Sequence, residues 1–212
     1  IHFDLIISDV MMPEMDGIEF CKSIKTDFRT SHIPVILLTA KSSFDSQLAG
    51  YETGADDYIT KPFNSQLLIS RIVNLIESRK IIREKFQKQI QFNPENITRN
   101  TLDKKILRNA YEIVEKNMSN PEFNITFLSK ELGMSERHLN RKLKSLTNQT
   151  PNSFITNIRL KKAAQLILEN ELQFAEIAYK VGFSVPSYFS SAFKKHFGVS
   201  PTDFLKQEPE AI

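Results

Sequence analysis

Three short apolar runs mark the first third of the chain: Leu5-Ile6-Ile7, Ile33-Pro34-Val35-Ile36-Leu37-Leu38, and Tyr58-Ile59-Thr60. Each is bounded by polar or turn-forming residues, and helical stretches separate them, one of them over Gly17 to Lys25. This alternation predicts a βαβα order and a parallel sheet. The runs are continuous rather than alternating, as expected of strands covered on both faces. Leu68, Ile72, Leu75, Ile76 and Ile82 then recur at roughly helical spacing. They predict a helix that begins near Asn64 or Ser65, either of which suits an N-cap, and runs to about Phe86.

The pattern changes after that helix. Residues 87–101 are polar, rich in asparagine and contain Pro94, so a linker is expected there. Beyond it the chain reads as all helical to about Lys206. The first of these helices, Leu102 to Met118, sets Ile106, Ala110, Ile113 and Val114 on one face. An internal repeat follows. Ile125 to Ser135 parallels Phe174 to Ser184 at an offset of 49 residues, and past the turn the offset becomes 50, pairing Leu139 with Phe189, Leu143 with Phe193 and Pro151 with Pro201.

Each copy reads as a short helix, a glycine turn and a second helix. Gly133 and Gly182 fall where the turn needs positive φ. Ser135 and Ser184 are placed to cap the second helices, and Pro186 falls in a first turn. Leu139, Leu143 and Leu146 form one inward stripe; Phe189, Phe193 and Phe197 form the other. The outward faces carry Arg137, Asn140, Arg141 and Lys144 in the first copy, and Ser187, Ser190, Ser191, Lys194 and Lys195 in the second. Arginine pairs with guanine, asparagine with adenine, serine with either, and lysine near a helix end suits phosphate. A joining helix from about Asn152 to Leu168 has Phe154, Ile158, Ala164 and Ile167 on one side and Arg159, Lys161 and Lys162 on another. It can space the two second helices by about one DNA turn, roughly 34 Å.

Charge agrees with a nucleic-acid partner for the second half. Residues 1–85 hold ten Lys/Arg against twelve Asp/Glu, a balance of −2, whereas residues 86–212 hold eighteen against thirteen, a balance of +5. The single cysteine, Cys21, excludes an internal disulfide framework and a cysteine-based metal site; a half-buried thiol is expected. His138 and His196 lie far apart, without partners at ligand spacing. There is no apolar stretch long enough to cross a membrane, so no membrane contact is expected of this segment. No nucleotide-binding glycine loop, triad or closed metal site points to an enzyme. The aromatics sit on inward helix faces rather than on a platform for RNA bases.

The first half carries different chemistry. Ligands of open α/β sheets bind at the carboxyl ends of the strands. The three expected strands end at Asp9, at Leu38-Thr39-Ala40 and at Lys61-Pro62-Phe63. They present a carboxylate, a hydroxyl and an ammonium, a set able to accept and hold a phosphoryl group. Asp9 would be the nucleophile, Lys61 would balance charge, and Thr39 would hydrogen-bond the phosphoryl oxygens.

Two resemblances follow from these motifs. Residues 1–17, with Asp9, Thr39 and Lys61, resemble the receiver of two-component response regulators from its third strand onward. Residues 103–206 resemble the AraC-type DNA-binding domain, through Ile158-Arg159-Leu160-Lys161-Lys162-Ala163-Ala164, Val181-Gly182-Phe183 and Phe193 to Pro201. The fold class expected is therefore an α/β, doubly wound receiver represented by its last three strands (residues 1–86), a linker (87–101), and an all-α domain with two helix-turn-helix motifs (102–207). The resemblance implies phosphorylation of Asp9 by a histidine kinase domain, in the same or a separate chain. It implies magnesium held partly by Asp9 and the backbone carbonyl of Met11, and a signalling role for Tyr58 together with Thr39. The receiver family's acidic pair follows a strand that has no counterpart here, and Asp56 and Asp57 cannot take its place, so stable magnesium binding by this segment is not expected.

The receiver, the Asn/Pro-rich linker and the AraC-type unit together resemble the tail of Bacteroidetes hybrid sensor-regulators. From this a fragment of a longer protein is expected, whose parent is a histidine kinase anchored in the inner membrane with this segment in the cytoplasm. A natural stub completed by another chain's strands is the alternative. Double-stranded DNA, RNA polymerase and a second copy of the chain are the expected partners. The rival functional reading is a phosphorylation-independent DNA-binding protein whose partial receiver serves only as a dimerisation surface.

Overall fold

The computed structural model describes residues 3–40, 53–88, 93–120 and 122–206. They fall into two compact units, Ile1–Ile82 with Thr98–Lys104, and Arg83–Ile97 with Lys105–Ile212. The stretch expected to link the second and third strands falls largely on residues 41–52. It lies outside the described residues, as do residues 89–92 of the expected linker and residue 207 at the expected domain end.

In the first unit three parallel strands, β1 (Ile6–Asp9), β2 (Val35–Thr39) and β3 (Asp57–Thr60), pair in the order β1-β2-β3. The register sets Asp9 beside Leu38 and Thr39 beside Thr60, so the three carboxyl ends lie at one rim. Helix α1 (Gly17–Thr26) is capped by Asp16, whose carboxylate accepts from the amides of Ile18 and Glu19 at 2.9 and 2.8 Å. The core is formed by Cys21, Val35, Leu37 and Ala55, with Ile6, Val10, Ile18, Ile24 and Tyr58 packed against it. Cys21 is fully buried rather than half-buried.

A charged cluster ties this unit together at the other end of the strands. Lys25, itself buried, donates to Asp56 at 2.6 Å and to the Ile33 carbonyl at 2.8 Å. Arg79 of α2 (Ser65–Lys88) donates to the same carboxylate at 2.8 Å, and the Val35 amide adds a further bond at 2.9 Å. Burial pushes the Asp56 carboxyl up, but Arg79, Lys25 and the Val35 amide together hold it below its usual value. Asp56 thus has a structural role far from the rim. The residues Thr98–Lys104 join the same unit: Asn100 donates to the Lys25 carbonyl at 3.1 Å, and Ser31 to the buried Asp103 at 2.7 Å. On α2, Leu68, Ile72 and Leu75 are half-buried, whereas Leu67, Ile69, Val73, Ile76 and Ile81 are exposed.

In the second unit a 3₁₀ turn (Pro94–Asn96) precedes seven helices among the described residues: α3 (Thr101–Lys116, whose first four residues belong to the first unit), α4 (Ile125–Glu131), α5 (Glu136–Thr147), α6 (Pro151–Glu169), α7 (Phe174–Lys180), α8 (Pro186–Phe197) and α9 (Pro201–Lys206). The stretch read as a linker is therefore not featureless, because Pro94 and Ile97 are buried and Ile97 joins the core. Helix α6 packs against α5, α7, α8 and α9. Eleven of its residues are buried, among them Asn157 and Lys161. The reading of Arg159, Lys161 and Lys162 as one basic side is corrected accordingly. Lys161 points into the core, and Arg159 is part-buried, donating to the Met118 carbonyl at 3.2 Å. A helix covered by four others has little solvent face left to hold a charged stripe.

Candidate functional site

The strand-end site is assembled by local sequence. Asp9 ends β1 and Lys61 follows β3; with β2 between them, the ammonium reaches the carboxylate and forms an ion pair. The second Asp9 oxygen accepts from the Met11 amide at 3.1 Å. The hydrogen bond from Lys61, then that from Met11, holds the Asp9 carboxyl below its usual value. Both side chains keep about a third of their surface exposed, 35% for Asp9 and 39% for Lys61, so the carboxylate is open to solvent. Thr39 ends β2 and is buried, and its carbonyl accepts from the Lys61 amide at 2.7 Å. Tyr58 pairs in register with Leu37, packs on the core and has its hydroxyl buried.

Gly17 supports this rim by close approach. Its amide donates to the Val10 carbonyl at 2.9 Å, and a side chain there would land on the Asp9 carbonyl oxygen. The Asp-Gly pair therefore has two jobs, a helix cap at Asp16 and room for the strand end at Gly17.

A magnesium ion takes oxygen ligands in octahedral geometry and commonly uses one or two carboxylates. The rim offers Asp9, whose two carboxylate oxygens are engaged by Lys61 and by the Met11 amide. No group of three or more His, Cys, Asp or Glu that could hold a metal is found among the described residues. The donors present do not fit a stable magnesium site.

The second site is a pair of exposed helix faces. In the first copy, Gly133 has φ +64°, and Ser135 caps α5 by accepting from the His138 amide at 3.3 Å. Arg137, Asn140 and Lys144 are exposed and Arg141 half-exposed, opposite the buried Leu139, Leu143 and Leu146. In the second copy, Gly182 has φ +85°, while Phe189 and Phe193 are buried. Ser187, Ser190, Ser191, Lys194 and Lys195 are exposed.

The expected cap at Ser184 is not formed. Val185 is the N-cap residue of α8, without a side-chain bond. The one-residue shift between the copies inserts Val185 between the serine and the helix, and Pro186 takes the first helical position, where its missing amide does no harm. Ser190 and Ser191 donate to the carbonyls of Pro186 and Ser187 at 3.1 and 3.0 Å. Sequence reasoning did not place Val185 and Tyr188 on this face, where they are 50% and 66% exposed. The available signal was spacing, since Tyr188 precedes the inward Phe189 and so leaves the apolar stripe.

Comparisons with known proteins fall on the same two parts. The family model of the response regulator receiver domain matches residues 1–73, and that of a helix-turn-helix domain matches residues 128–207. Over 206 residues the chain is 47% identical to Histidine kinase P4 of Formosa agariphila, which covers 97% of this chain and 15% of that protein. Over 126 residues it is 36% identical to the uncharacterised transcriptional regulatory protein YclJ of Bacillus subtilis, covering 59% of this chain and 53% of that one. The solved C-terminal domain of AraT, a response regulator from Geobacillus stearothermophilus, is 34% identical with a TM-score of 0.45, covering 50% of this chain and 88% of that one. The chain thus spans about a seventh of the first relative and about half of the second.

Proposed function

We propose, for a chain that joins a response-regulator receiver segment to an AraC-type helix-turn-helix domain, the role of a transcription regulator whose DNA binding is controlled by phosphorylation of Asp9. The observation that carries this reading is the repeated exposed polar face: two helices, each preceded by a glycine turn, sit in one unit with Arg137, Asn140 and Arg141 on one and Ser187, Ser190 and Ser191 on the other. In this reading these six side chains face bases, while Lys144 and Lys194 grip phosphates.

At the rim, a carboxylate oxygen of Asp9 forms the bond to phosphorus as the bond to the nitrogen of a donor phosphohistidine breaks. Lys61 then pairs with a phosphoryl oxygen instead of the Asp9 carboxylate, and Thr39 and Tyr58 respond as one two-state element.

The donor is a histidine kinase domain, in the same or a separate chain; the likeness to Histidine kinase P4 supports the same longer chain. That parent is membrane-anchored, with this segment in the cytoplasm and RNA polymerase as the eventual partner. No described helix is long and apolar enough to cross a membrane. A second reading, in which the receiver unit serves only as a dimerisation surface, is favoured by the exposed apolar residues of α2, Ile69, Val73 and Ile76.

Asp9→Asn in the full-length protein separates the two. Loss of signal-dependent transcription supports phosphorylation control; unchanged transcription supports the dimerisation reading. Selection of a randomised duplex pool by this chain tests the DNA-binding half: an enriched motif spanning two adjacent major grooves is expected, and uniform, salt-sensitive binding would count against it.

A further inference from the structure

The two outward helix faces differ in chemistry. The α5 face presents charged donors, Arg137 and Arg141, that suit guanine. The α8 face presents no arginine. Each serine hydroxyl has one hydrogen to give, and Ser190 and Ser191 give theirs to the backbone carbonyls of Pro186 and Ser187. What remains to them is acceptor capacity. Beside them stand two exposed apolar side chains, Val185 and Tyr188, at the amino-terminal end of α8, the end from which a recognition helix reaches base edges.

Tyr188 is exposed but held. Its ring lies 6.0 Å from that of the buried Phe183, which in turn packs edge-on against Phe189 at 5.4 Å. An aromatic ring braced by the core and open to solvent offers a rigid apolar surface at little entropic cost. In the major groove, an A·T pair shows an amino donor on adenine and, beyond the O4 acceptor of thymine, the thymine 5-methyl group. Acceptor hydroxyls match the first, and an apolar ring and isopropyl group match the second.

We infer that α8 reads A·T pairs through the thymine 5-methyl group, with Tyr188 and Val185 as the specificity-determining contacts. This rests on the DNA-binding reading above. The operator then has two unlike halves, one with guanine under α5 and one rich in A·T under α8.

The test uses the duplex enriched from a randomised pool by the full chain, with thymine replaced by uracil in either half. Uracil keeps the Watson–Crick edge and loses only the methyl group. Uracil in the α8 half is expected to weaken binding about fourfold per methyl, the size of one buried methylene. The Tyr188→Ala variant is expected to lose that discrimination, with its melting transition as the check on folding. Equal binding of thymine and uracil duplexes by the unaltered chain would overturn the inference. So would discrimination that survives in the double variant Val185→Ala, Tyr188→Ala. Loss of discrimination in Tyr188→Phe would assign it to the hydroxyl and overturn the apolar contact. An enriched motif that tolerates uracil in both halves sinks this inference alone; no enriched motif at all sinks the DNA-reading proposal with it.

Discussion

Gly133 and Gly182 occupy the same place in the repeat, yet alanine at the two positions should have very different consequences. Both lie at positive φ, +64° and +85°. A β-carbon in the left-handed region costs about 1–2 kcal/mol wherever it occurs. At Gly133 nothing lies within 4 Å of the added atom, so this strain is the whole effect. At Gly182 the atom would land on the Met118 carbonyl oxygen and stand 2.9 Å from the Arg159 guanidinium. Relieving that overlap moves backbone in a packed interior, which costs about 1–3 kcal/mol. It also breaks the Arg159 to Met118 hydrogen bond, worth roughly 1 kcal/mol. Gly182→Ala should therefore lose about 3–6 kcal/mol, against about 1–2 kcal/mol for Gly133→Ala. Guanidinium titration of the full chain, followed by far-ultraviolet circular dichroism, reads the difference as a shift in the helical transition midpoint. Equal shifts for the two variants, or a larger one for Gly133→Ala, would refute the argument from close approach.

Two further outcomes follow from buried charge. Asp56→Asn removes the carboxylate shared by Lys25 and Arg79 and leaves the buried Lys25 ammonium uncompensated, so the receiver unit should lose about 3–5 kcal/mol. Because the folded Asp56 carboxyl titrates below its usual range, its contribution is present above the unfolded value and lost as pH falls through the folded one. A urea transition of the receiver unit unchanged by the substitution would discount the cluster. Burial pushes the Lys161 ammonium down to about 8, against about 10.4 in an unfolded chain. Between these values the unfolded state holds the proton more tightly, so stability of the helical unit should rise with pH from about 8 to about 10. Lys161→Met should flatten that rise and add roughly 1–3 kcal/mol at neutral pH, as read from denaturation midpoints across the pH series. A rise that persists in the variant would assign it to another group.

Much of the strand-end site was legible because its signals are local. A strand that ends in Asp9 and another followed by Lys61 need only a parallel sheet to meet, and apolar runs predict parallel sheets. Inward stripes such as Leu139, Leu143 and Leu146 were legible for a related reason, since helical spacing alone decides which residues share a face. The same spacing misplaced Lys161, because periodicity tells which residues share a face and not how much of the helix other helices cover.

The amino-acid sequence by itself determined the order of elements, the repeat, the acid and base at the strand ends, and the polar and apolar sides of α5 and α8. These depend on residues within a few positions of one another. Tertiary structure alone decided that Asp56 belongs to a buried ion cluster, that Gly182 touches a distant carbonyl while Gly133 touches nothing, that α6 is a core helix, and that Tyr188 is braced by Phe183 with its ring in solvent. Each is a contact between side chains or backbone brought together by packing, which local spacing does not encode.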